Sequence, residues 1–174
     1  FVGHSNGTDL VAKTLKDYPY CRFKHVVFAG SVVRTDYKWR DFLKREGVGN
    51  GRVKAVLNYV ATRDCVVAFF PKVLQIFGQD LGSAGHDGFE LLPEEYQTRY
   101  IKGGHSAARI EENWDKIASF IVTGKMPKYE QDETIFTPDR SLIDKLIVWP
   151  GNAVVTWIVI LSGILWMCFW VSSW

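Results

Sequence analysis

The sequence predicts an α/β domain built on a parallel sheet, followed by a single apolar helix at the carboxyl end. Short apolar runs at 25–29 and 53–60 alternate with segments whose apolar residues recur at helical spacing. Such continuous apolar runs are typical of parallel strands that are buried on both faces. A third observation concerns segment 153–174, which contains no charged residue and is longer than most core helices. Alternation of strands and helices favours a parallel sheet covered by helices.

The first elements surround a tight turn. Phe1 and Val2 form an apolar stub, and the segment 8–16 after the turn has Val11 and Leu15 at helical spacing. We therefore expect a strand, a sharp turn and a helix, in that order.

Three further elements follow the two apolar runs. The segment 37–46 is predicted to be a helix because Trp39, Phe42 and Leu43 share one face, and 97–101 is predicted to be a short last strand. The segment 106–123 is the clearest helix. Its apolar stripe consists of Ile110, Trp114, Ile117, Ala118 and Ile121, and Gly124 is expected to end it.

The turn itself is the pentapeptide Gly3-His4-Ser5-Asn6-Gly7. Gly-x-Ser-x-Gly between a strand and a helix is typical of a nucleophile elbow, which lifts the serine hydroxyl clear of the sheet. Small residues are expected at both ends because so sharp a turn brings the backbone neighbours close together. Ser5 is therefore the candidate nucleophile, and it needs a base to take its proton during attack.

Two later segments extend this pattern to a resemblance to the α/β-hydrolase family. Asp64 stands in Asn-Tyr-Val-Ala-Thr-Arg-Asp-Cys-Val-Val, which resembles the family's acid loop, and His105 stands in Tyr-Ile-Lys-Gly-Gly-His-Ser-Ala, which resembles its histidine loop. Ser5, Asp64 and His105 also follow the family's chain order of serine, acid and histidine. The resemblance covers most of 1–124 and implies the second half of a doubly wound α/β-hydrolase sheet.

The resemblance also implies roles for these residues. His105 would act as the general base and Asp64 would orient its imidazole, while the backbone N–H of Asn6 would donate to the oxyanion. The expected activity is that of a serine esterase or lipase, cleaving a carboxylic ester or thioester through an acyl-enzyme on Ser5. No cofactor and no metal are implied.

Alternatives remain at two positions of the site. His86 lies in a glycine-rich segment that can border the site, so it rivals His105 as the base. His86 and His4 are also candidates for lining a substrate pocket. Asp36 rivals Asp64, because some family members place the acid after the strand that corresponds to 25–29. The alternative function is a non-catalytic membrane protein that uses a hydrolase-like fold for binding.

The composition narrows the class of partner. The 21 basic and 19 acidic residues are well mixed and give a net charge of +2, so there is no basic stripe of the kind that binds nucleic acid. Cys21, Cys65 and Cys168 are widely spaced and odd in number, which predicts neither a disulfide framework nor a metal site. This cysteine usage mildly favours a reducing compartment.

The start of the sequence and its middle part complete the domain prediction. The chain begins with Phe1 within the expected first strand, whereas the family places several strands and an oxyanion loop before this point. We therefore expect a carboxyl-terminal fragment of a longer protein, with 1–124 as a partial α/β-hydrolase domain. The segment 125–145 has mixed charge and two prolines, which predicts a surface linker.

The last segment, 146–174, is predicted to span a membrane. A helix over 153–174 would be about 33 Å long, against a bilayer core of about 30 Å. Arg140 and Lys145 precede it and no basic residue follows it, which favours a single pass with the hydrolase part in the cytoplasm. Membrane attachment in turn favours a lipid-like ester as substrate over other small molecules.

Overall fold

The computed structural model describes most of the first three quarters of the chain and a few residues near its end. The described residues are 1–43, 50–76, 78–90, 96–127, 158, 161–163, 165–167 and 169–170. The chain divides into two compact units, Phe1–Asp139 and Arg140–Trp174.

Four parallel strands form one sheet in the described part of the first unit. The strands are β1 (Val2–His4), β2 (Phe23–Ala29), β3 (Val53–Ala61) and β4 (Tyr96–Ile101), and they lie in that order across the sheet. The register pairs His4 with Ala29 and Ala61 with Ile101. The strands that the sequence predicted at 25–29, 53–60 and 97–101 are therefore present, and their carboxyl ends meet at one edge.

Helices cover both faces of this sheet. The helices are α1 (Asn6–Asp17), α2 (Cys65–Ile76), α3 (Ala84–Asp87) and α4 (Trp114–Thr123). Successive residues of a strand point to opposite faces, so Val26 packs in one buried cluster with Leu15 of α1, whereas Val27 packs in another with Phe120 of α4. The sheet is therefore the middle layer of an α/β arrangement.

Two predicted helices are shorter than the sequence pattern indicated. The described part of 37–46 contains one 3-10 turn, Trp39–Asp41, and positions 44–46 lie outside the described residues. One turn is enough to bury Trp39 completely, so the apolar spacing does not require a longer helix.

The predicted helix at 106–123 begins later than expected. Two 3-10 turns, Ala107–Arg109 and Glu111–Asn113, precede α4, and between them Ile110 is extended, with ψ 152°. Gly124 then ends α4 in the left-handed conformation, with φ 71°, as the sequence predicted.

The predicted membrane-spanning helix is wrong: among the residues that the structure describes, no helix is long and apolar enough to cross a membrane. In 146–174 the described helical residues are 158, 161–163, 165–167 and 169–170, and the remainder of that segment lies outside the described residues. Most of the predicted linker 125–145 lies outside them too. A crossing needs about 20 consecutive residues in one helix, and the described helical residues do not form such a run.

Candidate active site

The residues singled out by the sequence follow the ends of neighbouring strands. Ser5 comes directly after β1, Asp64 follows β3 and His105 follows β4, while Gly30 ends β2. Because all four strands are parallel, these positions share the carboxyl edge of the sheet. Ligand and active sites of open parallel sheets lie at this edge.

Ser5 has a strained backbone at the junction of β1 and α1. Its φ is 53° and its ψ is −126°, and it is the one non-glycine residue with positive φ in the described part of the chain. Such a conformation costs a side-chain-bearing residue about 1–3 kcal/mol. Three hydrogen bonds hold it. Ser5 N–H donates to the Ala29 carbonyl at 3.0 Å, and the Ser5 carbonyl accepts from the Thr8 N–H at 2.9 Å and from the buried Thr8 hydroxyl at 2.7 Å.

The two glycines of the elbow are not equally constrained. A Cβ on Gly3 would lie 3.1 Å from the carbonyl carbon of Gly7, closer than most real Cβ contacts. A Cβ on Gly7 would meet nothing within 4 Å. The expected need for a small residue therefore applies to Gly3 but not to Gly7.

Asp64 and His105 are in direct contact. His105 Nδ1 lies 2.9 Å from Asp64 Oδ2, and the Asp64 side chain is fully buried. A carboxylate only accepts hydrogen bonds, so Nδ1 is the donor, and in a neutral imidazole the lone pair is then on Nε2. This is the tautomer that a general base facing a serine requires.

Asp64 is fixed by a second bond on its other oxygen. Oδ1 accepts from the backbone N–H of Val67 at 3.0 Å, which is the bond that an aspartate at the N-cap of α2 is expected to make. One carboxylate thus caps a helix and orients His105.

The two loops are brought together by the sheet ladder. Beyond the last residues of β3 and β4, Thr62 N–H donates to the Ile101 carbonyl at 3.0 Å and Arg63 N–H donates to the Gly103 carbonyl at 2.9 Å. The acid loop and the histidine loop therefore leave the sheet side by side, and Asp64 meets His105 within a few residues.

His4 contacts the histidine loop from the elbow. Its Nε2 lies 3.0 Å from the His105 carbonyl oxygen, and the two imidazole rings lie 4.5 Å apart between centroids. Partial burial lowers the pKa of His4, with smaller opposing contributions from its bond to His105.

The rival residues have other partners. Asp36 is exposed and binds Arg34 through two hydrogen bonds of 2.8 Å, and this pairing holds the pKa of the Asp36 carboxyl below its usual range. His86 is buried on α3, with Nδ1 2.9 Å from Asp87 Oδ1. The described contacts thus favour Asp64 as the partner of His105.

The structure does not join every predicted residue by a hydrogen bond. Asn6 is the first residue of α1, where a backbone N–H has no carbonyl of its own helix to bind, so it is free to bind an oxyanion. Within the described residues the Ser5 hydroxyl makes no hydrogen bond to His105. Serine–histidine hydrogen bonds are often long without substrate and shorten in the reacting complex. No group of three or more metal-ligating side chains occurs in the part of the chain that the structure describes.

Gly30 is a site residue that the sequence did not identify. A Cβ at this position would lie 2.7 Å from His105 Cε1, 2.8 Å from its Nδ1 and 3.3 Å from Asp64 Oδ2. A glycine that closes a buried strand indicates a tight turn, but nothing local reveals which side chains pack on it. The absence of a side chain here makes room for the histidine–aspartate pair.

We expect Gly30→Ala to remove most of any turnover that depends on His105, such as hydrolysis of p-nitrophenyl acetate, because the added methyl group displaces the His105 ring. A misplacement of about 1 Å can cost about 10²-fold in turnover. Gly78→Ala is the matched control: φ is +55° at Gly30 and +77° at Gly78, but a Cβ at Gly78 meets nothing within 4 Å. Both variants should lose thermal stability because of the positive φ, Gly30→Ala more so because of the close contacts, whereas only Gly30→Ala should lose turnover. Equal activity of the two would show that Gly30 does not support the pair.

Comparison with known proteins found no relative of this chain. No family model, no curated protein and no solved structure matches the chain.

Proposed function

We propose that this protein is a serine hydrolase of the α/β-hydrolase type that cleaves a carboxylic ester or thioester. One observation carries the proposal: a buried aspartate lies 2.9 Å from Nδ1 of a histidine, at the sheet edge where a strained serine precedes a helix. The residues in question are Ser5, His105 and Asp64, in the chain order that the family resemblance implies.

The reaction would follow the acyl-enzyme route. Ser5 Oγ attacks the carbonyl carbon of the ester while His105 Nε2 takes the hydroxyl proton, and the carbonyl oxygen becomes an oxyanion near the Asn6 N–H. Collapse of this intermediate breaks the bond to the alcohol or thiol, which receives the proton from His105. Water then attacks the acyl-serine with the same proton transfers, releasing the acid and free enzyme.

Asp64 supports the two charged steps without exchanging a proton. Its ionised carboxylate stabilises the imidazolium that forms when His105 is protonated. Because Asp64 is fully buried and is also held by Val67 N–H, it cannot turn away from the ring without losing the cap of α2. This rigidity is the geometric support for a catalytic rather than an ordinary surface pairing.

Trapping the acyl-enzyme tests the proposal. The full-length protein is mixed with p-nitrophenyl acetate, quenched in acid within seconds and digested for mass spectrometry. We expect an acetyl group on the peptide that contains Ser5, and no such adduct in Ser5→Ala. If the protein binds the ester but is not acetylated and releases no p-nitrophenol, the non-catalytic alternative is favoured.

A further inference from the structure

His4 links the elbow to the loop that carries His105. Within the described residues its side chain reaches across the sheet edge, with Nε2 3.0 Å from the His105 carbonyl oxygen and its ring 4.5 Å from the His105 ring. In the described part of the chain, no hydrogen bond joins Ser5 to His105 directly. His4 therefore provides the side-chain hydrogen bond between the elbow and the histidine loop.

The direction of this bond is fixed by chemistry. A carbonyl oxygen only accepts, so the His4 Nε2 must carry a proton and donate it. The lowered pKa of His4, which follows first from its burial, favours a neutral ring at neutral pH. A neutral ring with its proton on Nε2 has no lone pair there, so His4 is not a base at that atom and adds no positive charge beside His105. The other groups that act on it electrostatically are Arg109 and Asp64.

Both ends of the bond are rigid. On one side, His4 pairs with Ala29 in the β1–β2 ladder, and the next N–H, that of Ser5, donates to the Ala29 carbonyl. On the other side, the histidine loop is a tight turn, in which Gly103 has φ +127° and Ala107 N–H donates to the Gly104 carbonyl at 2.9 Å. A bond between two rigid segments fixes their separation.

We propose that His4 is a positioning residue whose Nε2–H sets the distance between His105 and Ser5 by holding the His105 backbone carbonyl. This inference rests on the proposed function, since it assigns a role within the same serine–histidine pair. It goes beyond the family motif, in which the position before the serine is variable. The elbow would then supply both the nucleophile and the donor that places its base.

Two substitutions distinguish the contribution of the hydrogen-bond donor of His4 from that of its aromatic ring. In His4→Gln the side-chain amide nitrogen can occupy the place of Nε2 and donate to the same carbonyl, whereas His4→Phe keeps an aromatic ring and removes the donor. We expect His4→Phe to lower kcat by about 10²-fold with little change in KM, because the base is displaced by about 1 Å while substrate contacts remain. We expect His4→Gln to retain most of kcat.

A spectroscopic measurement accompanies the kinetics. The His105 Nδ1 proton, shared with buried Asp64, should give a separate downfield proton resonance in the wild type and in His4→Gln. In His4→Phe it should broaden or shift as the loop loosens. Thermal unfolding of both variants shows whether either has lost the fold. If His4→Phe has lost it, His4→Leu takes its place as the variant without a donor.

The outcomes distinguish the two levels of the proposal. Wild type that is neither acylated on Ser5 nor active overturns the proposed function itself. Wild type that is active, with His4→Phe equally active and the resonance unchanged, overturns the positioning role alone. Loss of kcat in both His4→Phe and His4→Gln, with both variants folded, would show that a property other than the donor is needed and would also overturn it.

Discussion

Ser5→Ala and His105→Ala should each remove nearly all esterase activity of the full-length protein, and the double variant should be hardly slower than either single variant. Triad members act as a unit, so loss of the nucleophile or the base alone costs about 10⁶-fold in kcat. The measurement is kcat for p-nitrophenyl acetate hydrolysis by the wild type and the three variants.

Ser83→Ala is the control for this series. Ser83 also lies near a histidine and an aspartate, His86 and Asp87. Its Oγ, however, donates to the Asp87 carboxylate at 2.5 Å rather than to an imidazole. We expect this variant to hydrolyse the ester at close to the wild-type rate. Loss of activity in Ser83→Ala with full activity in Ser5→Ala would move the nucleophile to the other serine.

The second large loss of kcat is expected from Asp64→Asn. Asparagine can keep the N-cap of α2 by accepting from Val67 N–H, but its NH₂ group cannot accept the His105 Nδ1 proton. The imidazole then favours the tautomer with the proton on Nε2, where it cannot take one from Ser5. A change of this kind costs about 10⁴-fold in kcat in serine proteases.

Asp36→Asn serves as the matched control for Asp64→Asn. Both substitutions remove one carboxylate charge, but Asp36 lies on the surface and binds Arg34. We expect Asp36→Asn to retain activity and to change stability little, since exposed ion pairs contribute about 0–1 kcal/mol. Comparable losses in the two variants would contradict the assignment of Asp64 as the sole acid.

The elements that the sequence predicted well are those set by local pattern. The β2 and β3 strands are continuous apolar runs, and Gly124 ends α4 because glycine adopts φ 71° without strain. α2 was not predicted, and it contains Pro71, a residue that argues against a helix interior. Two features that helix propensity does not include stabilise α2: Val67 N–H donates to the Asp64 carboxylate, and the Val67 side chain is buried.

The part of the candidate site that the sequence predicted is also the part that local sequence patterns mark. Ser5, Asp64 and His105 were found because each stands in a short recognisable segment, and the ladder between β3 and β4 accounts for the contact of the last two. The supporting contacts of Gly30 and His4 depend on which loops meet in three dimensions. No local spacing carries that information.

Labelling with a fluorophosphonate is the most direct test of the central claim that Ser5 is an activated nucleophile. The full-length protein is treated with the probe and digested, and the modified residue is located by mass spectrometry. We predict a single adduct on Ser5 that is absent from Ser5→Ala and forms far more slowly in Asp64→Asn than in Asp36→Asn. No adduct on the folded wild-type protein, or an adduct on another serine that persists in Ser5→Ala, would contradict the proposed site.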